Sequence, residues 1–157
     1  MSLDILRRQI HMAAYVTAKN TDGITHDESL VRLLGDDGSN INWTVGHVVF
    51  VRCQLLRHLG QPSVWTPEEW RPYARGSAPS PELMPFDEVR RAFDLSQERF
   101  LAGLGTLTEE RMATMVPGPN GEESLGSLVG TIIGHDLYHL GQLGVLRRVV
   151  GKEGVIK

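Results

Sequence analysis

The sequence of 157 residues has a single cysteine and no long apolar run. One cysteine cannot form a disulfide within the chain, which fits a reducing compartment. No segment approaches the roughly 18 consecutive apolar residues of a membrane span. The first residues carry charge from Asp4 onwards and lack the apolar stretch of a signal peptide. We therefore expect a cytoplasmic protein.

Charge is neither strongly biased nor clustered along the chain. The formal net charge is -3, and no block of like charge is longer than three residues. Proteins that bind nucleic acid or membrane surfaces usually concentrate positive charge in one region. We therefore expect no nucleic-acid or membrane partner. The length predicts one domain over residues 1–157.

Four segments repeat apolar residues at the three- and four-residue spacing of a helix. They are residues 3–17, 42–59, 86–104 and 124–150. Asn40 or Asn42 is suited to cap the second helix, and Gly60 is suited to end it. No alternation of apolar and polar residues predicts a strand. The sequence therefore predicts an all-α fold, a four-helix bundle.

The segments between these helices are irregular. They are residues 20–40, 61–85 and 117–121, which are rich in Gly, Pro, Asp, Ser or Asn. We expect a short helical turn at 28–34 and a capped turn at 108–112. In the proline-rich segment, we expect Trp65, Trp70 and Tyr73 to pack against the bundle rather than to bind a ligand.

Histidines supply the strongest chemical signal. His135 and His139 lie four residues apart on an apolar helix, so both rings can reach one point in front of it. Two buried histidines are costly unless something pairs with them, and a metal ion would pair with both. A third ligand must come from another element. His47 meets this condition because it lies between Trp43 and Phe50 on a buried stripe.

The remaining histidines and the cysteine fit a metal site less well. His58 lies about 16 Å along the helix from His47, too far to share an ion. His11 is expected in solvent, and His26 lies in a polar connection. Cys53 points away from His47 and is expected to be a small core residue.

Other polar residues on these stripes admit two interpretations. Gln54 and Gln142 could bind a metal-bound water, a cofactor or a substrate, or could be hydrogen-bonded core amides. Tyr138 is expected to pack or to lie at the rim. Asp136 follows His135 where a zinc peptidase of the His-Glu-x-x-His type has glutamate, which weakens that interpretation.

Glycines form a separate face of the last helix. Each costs about 1 kcal/mol of helix propensity relative to alanine, so we expect a closely packed neighbour to compensate. The neighbour could be another helix of the chain or a second subunit. The glycines are Gly126, Gly130, Gly134 and Gly141.

Two motifs together resemble the DinB-like superfamily over nearly the whole chain. They are NWTVGH at 42–47, and GHDLYHLGQL at 134–143 followed by LRR at 146–148. The resemblance implies an up-down-down-up four-helix bundle, often a homodimer. It also implies a divalent ion held by His47, His135 and His139. Zinc and nickel are the ions we expect, because both readily accept neutral imidazole nitrogen. Characterised members include S-transferases that use a low-molecular-weight thiol (mycothiol, bacillithiol or glutathione) and proteins named as metal-dependent hydrolases.

Two hypotheses of function follow. In the first, the ion activates a thiol or a water in an S-transferase or hydrolase, whose partner is a small-molecule substrate or thiol. In the second, the protein is a non-enzymatic, stress-related bundle that binds a metal or ligand. In both, metal binding should weaken as the pH falls through about 6.5, because protons compete for imidazole.

Overall fold

The computed structural model describes residues 3–33, 35, 38–77, 82–119 and 121–155. As the sequence predicts, long helices form its framework. The helices are α1 (Leu3–Thr21), α2 (His26–Ser29), α3 (Ile41–Leu56), α4 (Pro67–Trp70), α5 (Phe86–Gly105), α6 (Glu109–Ala113) and α7 (Leu125–Val149). A 3₁₀ helix spans Arg71–Tyr73, and strands β1 (Met115–Gly118) and β2 (Gly121–Ser124) form an antiparallel hairpin. Within the described ranges, no helix is long and apolar enough to cross a membrane.

The ends of α3 follow from local hydrogen bonding. Of the two predicted caps, Asn40 is the one used, because its side-chain oxygen accepts from the backbone N–H of Trp43 at 2.7 Å. Asn42 instead donates to the carbonyl of Met84 at 2.9 Å. Gly60, with φ of 69°, lies just beyond the helix in the left-handed conformation that favours glycine.

The four long helices have the up-down-down-up arrangement. α3 and α5 run in the same direction, since Leu59 and Gly103 contact each other near their C-terminal ends and residues 42 and 84 are bonded near their starts. α1 and α7 also run together, with Arg147 donating to the carbonyl of Asn20 at 3.1 Å. Both run opposite to α3 and α5, and the long connection before α5 makes the parallel pair possible.

The proline-rich connection packs against the bundle as predicted. Tyr73 is fully buried, and its ring stacks on that of Trp65 at 5.0 Å. Trp70 contacts Phe50 of α3, with ring centroids 4.9 Å apart. These aromatic contacts place the connection over one end of α3.

Gly46 lets this connection approach α3 closely. A Cβ atom at this position would overlap the ring of Tyr73. The Tyr73 hydroxyl accepts from the N–H of Met84 at 3.0 Å and donates to Asn42 at 3.2 Å. The ring of Tyr73 is therefore packed against the backbone of α3 at Gly46, and its hydroxyl is fixed by two hydrogen bonds.

The prediction of no strands was wrong at the hairpin that precedes α7. Val116 pairs with Glu123 in this hairpin, whose central residues 117–121 were expected to be loop. Each strand has four residues, and Val116 is the residue buried in β1. So short a strand leaves no apolar periodicity to detect. Residue 120 lies outside the described residues.

Two short helical turns were also predicted. α2 begins after Thr25, earlier than the expected start at Glu28, because these two side chains form a reciprocal capping box. Leu34, the end of the predicted turn, lies outside the described residues. The turn predicted at 108–112 is α6, with Thr108 as its cap.

The glycines of α7 differ in what they face. Gly126 packs against Met112 of α6, so the expected close neighbour is present there. Gly134 and Gly141 are exposed, and a Cβ at either would meet no described atom within 4 Å. An internal neighbour was therefore the wrong explanation for these two positions.

Candidate metal centre

The structure brings together the three histidines expected to converge. His47 comes from α3, and His135 and His139 come from α7. The ring of His47 lies 5.1 Å from each of the other two, whose centroids are 4.4 Å apart. One nitrogen from each ring lies within 4.8 Å of the others. The cluster is largely buried and could hold a metal ion.

The other candidates lie where the sequence analysis placed them. His11 is exposed, and Cys53 is buried in the core. His26 is exposed and accepts a hydrogen bond from the N–H of Phe86 at 3.3 Å. His58, near the end of α3, is half-buried and does not join the histidine cluster.

Hydrogen bonds orient two of the clustered rings. Nδ1 of His47 lies 2.7 Å from the carbonyl oxygen of Tyr73, which can only accept, so Nδ1 carries the proton. Nδ1 of His139 lies 2.6 Å from Oε1 of Gln142. In a neutral imidazole that donates from Nδ1, Nε2 keeps its lone pair. Both rings therefore offer Nε2 to the centre of the cluster.

Gln142 thus acts on a histidine rather than facing the centre directly. Its amide nitrogen donates to the hydroxyl of exposed Tyr138 at 3.2 Å, which fixes the amide. Gln54, the other predicted amide, lines a cavity beside the cluster. The two glutamines therefore have separate surroundings.

Beside the third ring lies a candidate acceptor, Asp136, that sequence reasoning missed. Nδ1 of His135 and Oδ1 of Asp136 are both buried without a hydrogen-bond partner, and they lie 3.7 Å apart. At this distance the two atoms do not form a hydrogen bond, but each is the complementary group that the other lacks. A carboxylate behind a ligand histidine is the usual second partner at metal sites. Asp136 therefore suits the role of orienting His135.

Asp136 is itself anchored by a buried arginine. Arg52 of α3 donates from Nε to Oδ2 of Asp136 at 2.9 Å, and both side chains are almost fully buried. Arg52 also donates to Ser96 at 3.1 Å and lies over the ring of Phe93 at 4.4 Å. The sequence does carry a signal for this pair. Arg52 and Asp136 have opposite charges, and each lies within a mainly apolar helix.

Aromatic side chains enclose His47. Trp43 stacks on its ring with centroids 4.6 Å apart and an interplanar angle of 7°. Trp43 is held in turn, because its indole N–H donates to Ser77 at 3.0 Å. Phe50 covers the ring at 5.8 Å. The imidazole is thus fixed in plane and shielded from water.

Burial favours the neutral form of two of these imidazoles, those of His47 and His139. The pKa of His139 is lowered to about 4, chiefly by burial and also by the positive charges that His135 and His47 would carry. Burial also lowers the pKa of His47, against the raising effect of the Tyr73 carbonyl. Neutral imidazole is the form that binds a metal, so no proton has to be displaced at neutral pH.

A cavity of about 380 Å³ opens beside the cluster. His47 and His135 form part of its lining, together with residues of the hairpin. Its volume lies within the range of roughly 300–1,000 Å³ that is usual for small-molecule sites. A small molecule in the cavity could therefore reach the histidines.

The donor set fits a divalent transition metal. Zinc and nickel accept neutral imidazole nitrogen, and catalytic zinc sites commonly use three protein ligands with a position left for water or substrate. Nε2 of His135 and Nε2 of His139 lie 3.1 Å apart. That separation is close to the roughly 3.3 Å between ligand atoms around a tetrahedral zinc.

We predict that His139 makes the metal-free protein acid-sensitive. The unfolded chain protonates this residue below about pH 6.5, whereas the folded protein resists until about pH 4. This contribution to stability is therefore complete above pH 6.5 and falls below it, by on the order of 2 kcal/mol at pH 5 and about 3 kcal/mol near pH 4. Urea unfolding of EDTA-treated protein at pH 7.5 and pH 5 measures this loss.

Two variants test the assignment to His139. His139→Gln should flatten the pH dependence of stability, and His11→Gln should not. Parallel profiles for wild type and His139→Gln would contradict the assignment.

The geometry agrees with comparison to known proteins. A family model described as the DinB superfamily matches residues 9–143, from within α1 to within α7, and covers all three histidines. A search of curated proteins finds no match to the chain. The matched region is most of the sequence, and its long helices have the expected bundle arrangement. The chain therefore belongs to the DinB superfamily.

Proposed function

We propose that the protein is a metal-dependent S-transferase or hydrolase. A zinc or nickel ion would be held by His47, His135 and His139. The observation that carries this proposal is that Nε2 atoms from two helices converge at the wall of a cavity large enough for a small molecule. A purely structural histidine cluster would have no need of such an opening.

When bound, the ion would lower the pKa of a coordinated thiol or water to near neutral. The protein's own residues orient the site: Tyr73 and Gln142 hold two rings through Nδ1, and Asp136 lies behind the third. Among the described residues that line the cavity there is no carboxylate to act as a general base. Activation of the nucleophile is therefore assigned to the ion.

The free, buried Cys53 is consistent with a reducing compartment, and we propose that the protein acts in the cytoplasm. A low-molecular-weight thiol is abundant in such a compartment and would serve as cosubstrate. Mycothiol, bacillithiol and glutathione are the candidates.

We further propose a homodimer formed through α1 and α7. Exposed Leu137 and Val145 share a stripe of α7 with Gly134 and Gly141, and exposed Met12 of α1 lies beside it. The two glycines have no close neighbour in the described chain. A second copy would cover the apolar side chains and give the glycines the packing that offsets their helix cost.

We expect one divalent ion per chain in purified protein, measured by elemental analysis. His139→Gln should weaken zinc binding more than 100-fold in a chelator competition, because it removes a ligand. His11→Gln, which alters an exposed histidine, serves as the control and should bind normally. Because the pKa of His139 is lowered, protons should compete with the metal for this ring only below the pH of about 6.5 that the sequence predicts. Unchanged affinity in His139→Gln would contradict the ligand set.

The enzymatic proposal predicts thiol transfer that depends on the metal. Zinc- or nickel-loaded protein is incubated with each candidate thiol and an electrophile such as 1-chloro-2,4-dinitrobenzene, and product is followed by absorbance. Chelation should abolish turnover, and restoring the metal should recover it. Activity that survives complete metal removal would contradict the proposal. Metal binding without turnover for any thiol or ester would favour the non-enzymatic binder.

The dimer predicts a solution mass of twice the chain mass of 17.4 kDa. Light scattering after size exclusion measures this mass. Val145→Lys should shift the protein towards monomer, because it places a charge in the proposed apolar interface. Ala102→Lys makes a comparable change on the exposed face of α5 and should remain dimeric. A monomeric wild type would refute the interface.

A further inference from the structure

The cavity beside the histidines carries positive charge that the proposed chemistry does not use. Arg57 and Arg75 line it, and the described part of its lining contains no Asp or Glu. Neither arginine forms an ion pair with a carboxylate among the described residues. Both residues are exposed, so solvent weakens their field, but two unneutralised guanidinium groups at one cavity still favour a negatively charged ligand.

At one end of the cavity, two arginines donate hydrogen bonds to His58. Nε of Arg57 donates to Nε2 of His58 at 3.2 Å, and Arg111 donates to the His58 carbonyl at 2.9 Å. Burial and these two cations lower the pKa of His58, so its imidazole stays neutral and accepts from Arg57. The hydrogen bond uses one of the five N–H donors of the guanidinium. The others remain able to bind an anion.

The charge of Arg75 reaches the other end of the cavity. Its positive charge contributes to lowering the pKa of His47, although burial is the larger cause. Arg75 follows Tyr73 by two residues, on the connection that packs against α3. The two arginines are therefore placed by different parts of the chain but face the same space.

The walls between these ends are apolar. Phe50 and Leu55 of α3 face Leu128 and Ile132 of α7, with Pro117 of the hairpin also in the lining. The lining runs from His47 in α3 to His58, two residues beyond the end of that helix, a span of about 16 Å along the helix axis. A ligand that fills this space must present apolar surface along its length.

We infer that the cavity binds an elongated small anion with an apolar body, whose negative group lies against Arg57 while Arg75 attracts the molecule towards the histidines. The identity of this ligand as the substrate or cosubstrate rests on the function proposed above, but its charge preference does not. Neutral apolar molecules lack a partner for the arginines, and cations would be repelled by them.

Two fluorescent probes of similar shape test the inference on EDTA-treated full-length protein. 8-Anilinonaphthalene-1-sulfonate is anionic, and N-phenyl-1-naphthylamine is the neutral counterpart. Wild type should bind the sulfonate more tightly, and its affinity should fall as salt rises. Equal affinity for the two probes, or no binding of the sulfonate, would overturn the inference.

Paired variants assign the charge preference to the two arginines. Arg57→Gln with Arg75→Gln should weaken sulfonate binding about tenfold and leave the neutral probe unaffected. Arg8→Gln with Arg71→Gln removes the same charge at exposed positions outside the cavity lining and should bind as wild type. Equal loss in both double variants, or loss in neither, would overturn the inference.

A third variant locates the probe. Thr131 is an exposed residue of the cavity lining, and Thr131→Trp should obstruct the space and abolish binding of both probes. Undiminished binding would place the probe elsewhere and overturn the inference. Circular dichroism checks the fold, and zinc content is measured separately for each variant. A wild type that binds the sulfonate but no zinc would reject the proposed function alone. A wild type that binds zinc but does not prefer the sulfonate would reject this inference alone.

Discussion

The candidate site depends on acceptors that lie behind the histidines. Three imidazoles can share one small volume only if they stay neutral and if their lone pairs point inward. The carbonyl of Tyr73 and the amide oxygen of Gln142 fix two Nδ1 protons on the outer side. Asp136 is the corresponding candidate for His135, with its Oδ1 atom 3.7 Å from Nδ1 of that ring. These hydrogen bonds orient the rings in advance, which lowers the free-energy cost of assembling a metal site.

The same constraint ties the site to the bundle interior. Arg52 and His47 lie on α3, and Asp136 lies between the two histidines of α7. The Arg52–Asp136 ion pair therefore sets the register of the two helices that supply all three imidazoles. Removing one member would leave a buried charge, at a cost of about 3–5 kcal/mol. A change in this pair would be felt in both stability and ligand geometry.

Much of this arrangement could be predicted from the sequence. Helical periodicity located α1, α3, α5 and α7, and histidine spacing on apolar faces selected the three rings. The supports were harder to foresee. Any residue supplies a carbonyl, so nothing in the side chain of Tyr73 signals its role towards His47.

The cavity was unpredictable for a different reason. One wall comes from the hairpin at Pro117, whose four-residue strands leave no periodic signal. Another part comes from Arg75, which lies on an irregular connection whose path is set by long-range packing. Pairing Arg52 with Asp136 needs the relative register of α3 and α7. Local sequence patterns carry none of this information.

The tight contact between Gly46 and Tyr73 has a consequence for motion. The connection that lies on Gly46 carries both the carbonyl that orients His47 and, two residues later, Arg75. If this connection lifts from α3, the ring loses its acceptor and the cavity loses a cation in the same event. Occupancy of the histidine cluster and closure of the connection are then thermodynamically linked, so each must favour the other. Proteolytic cleavage and amide exchange in this connection would accordingly slow when the cluster is filled.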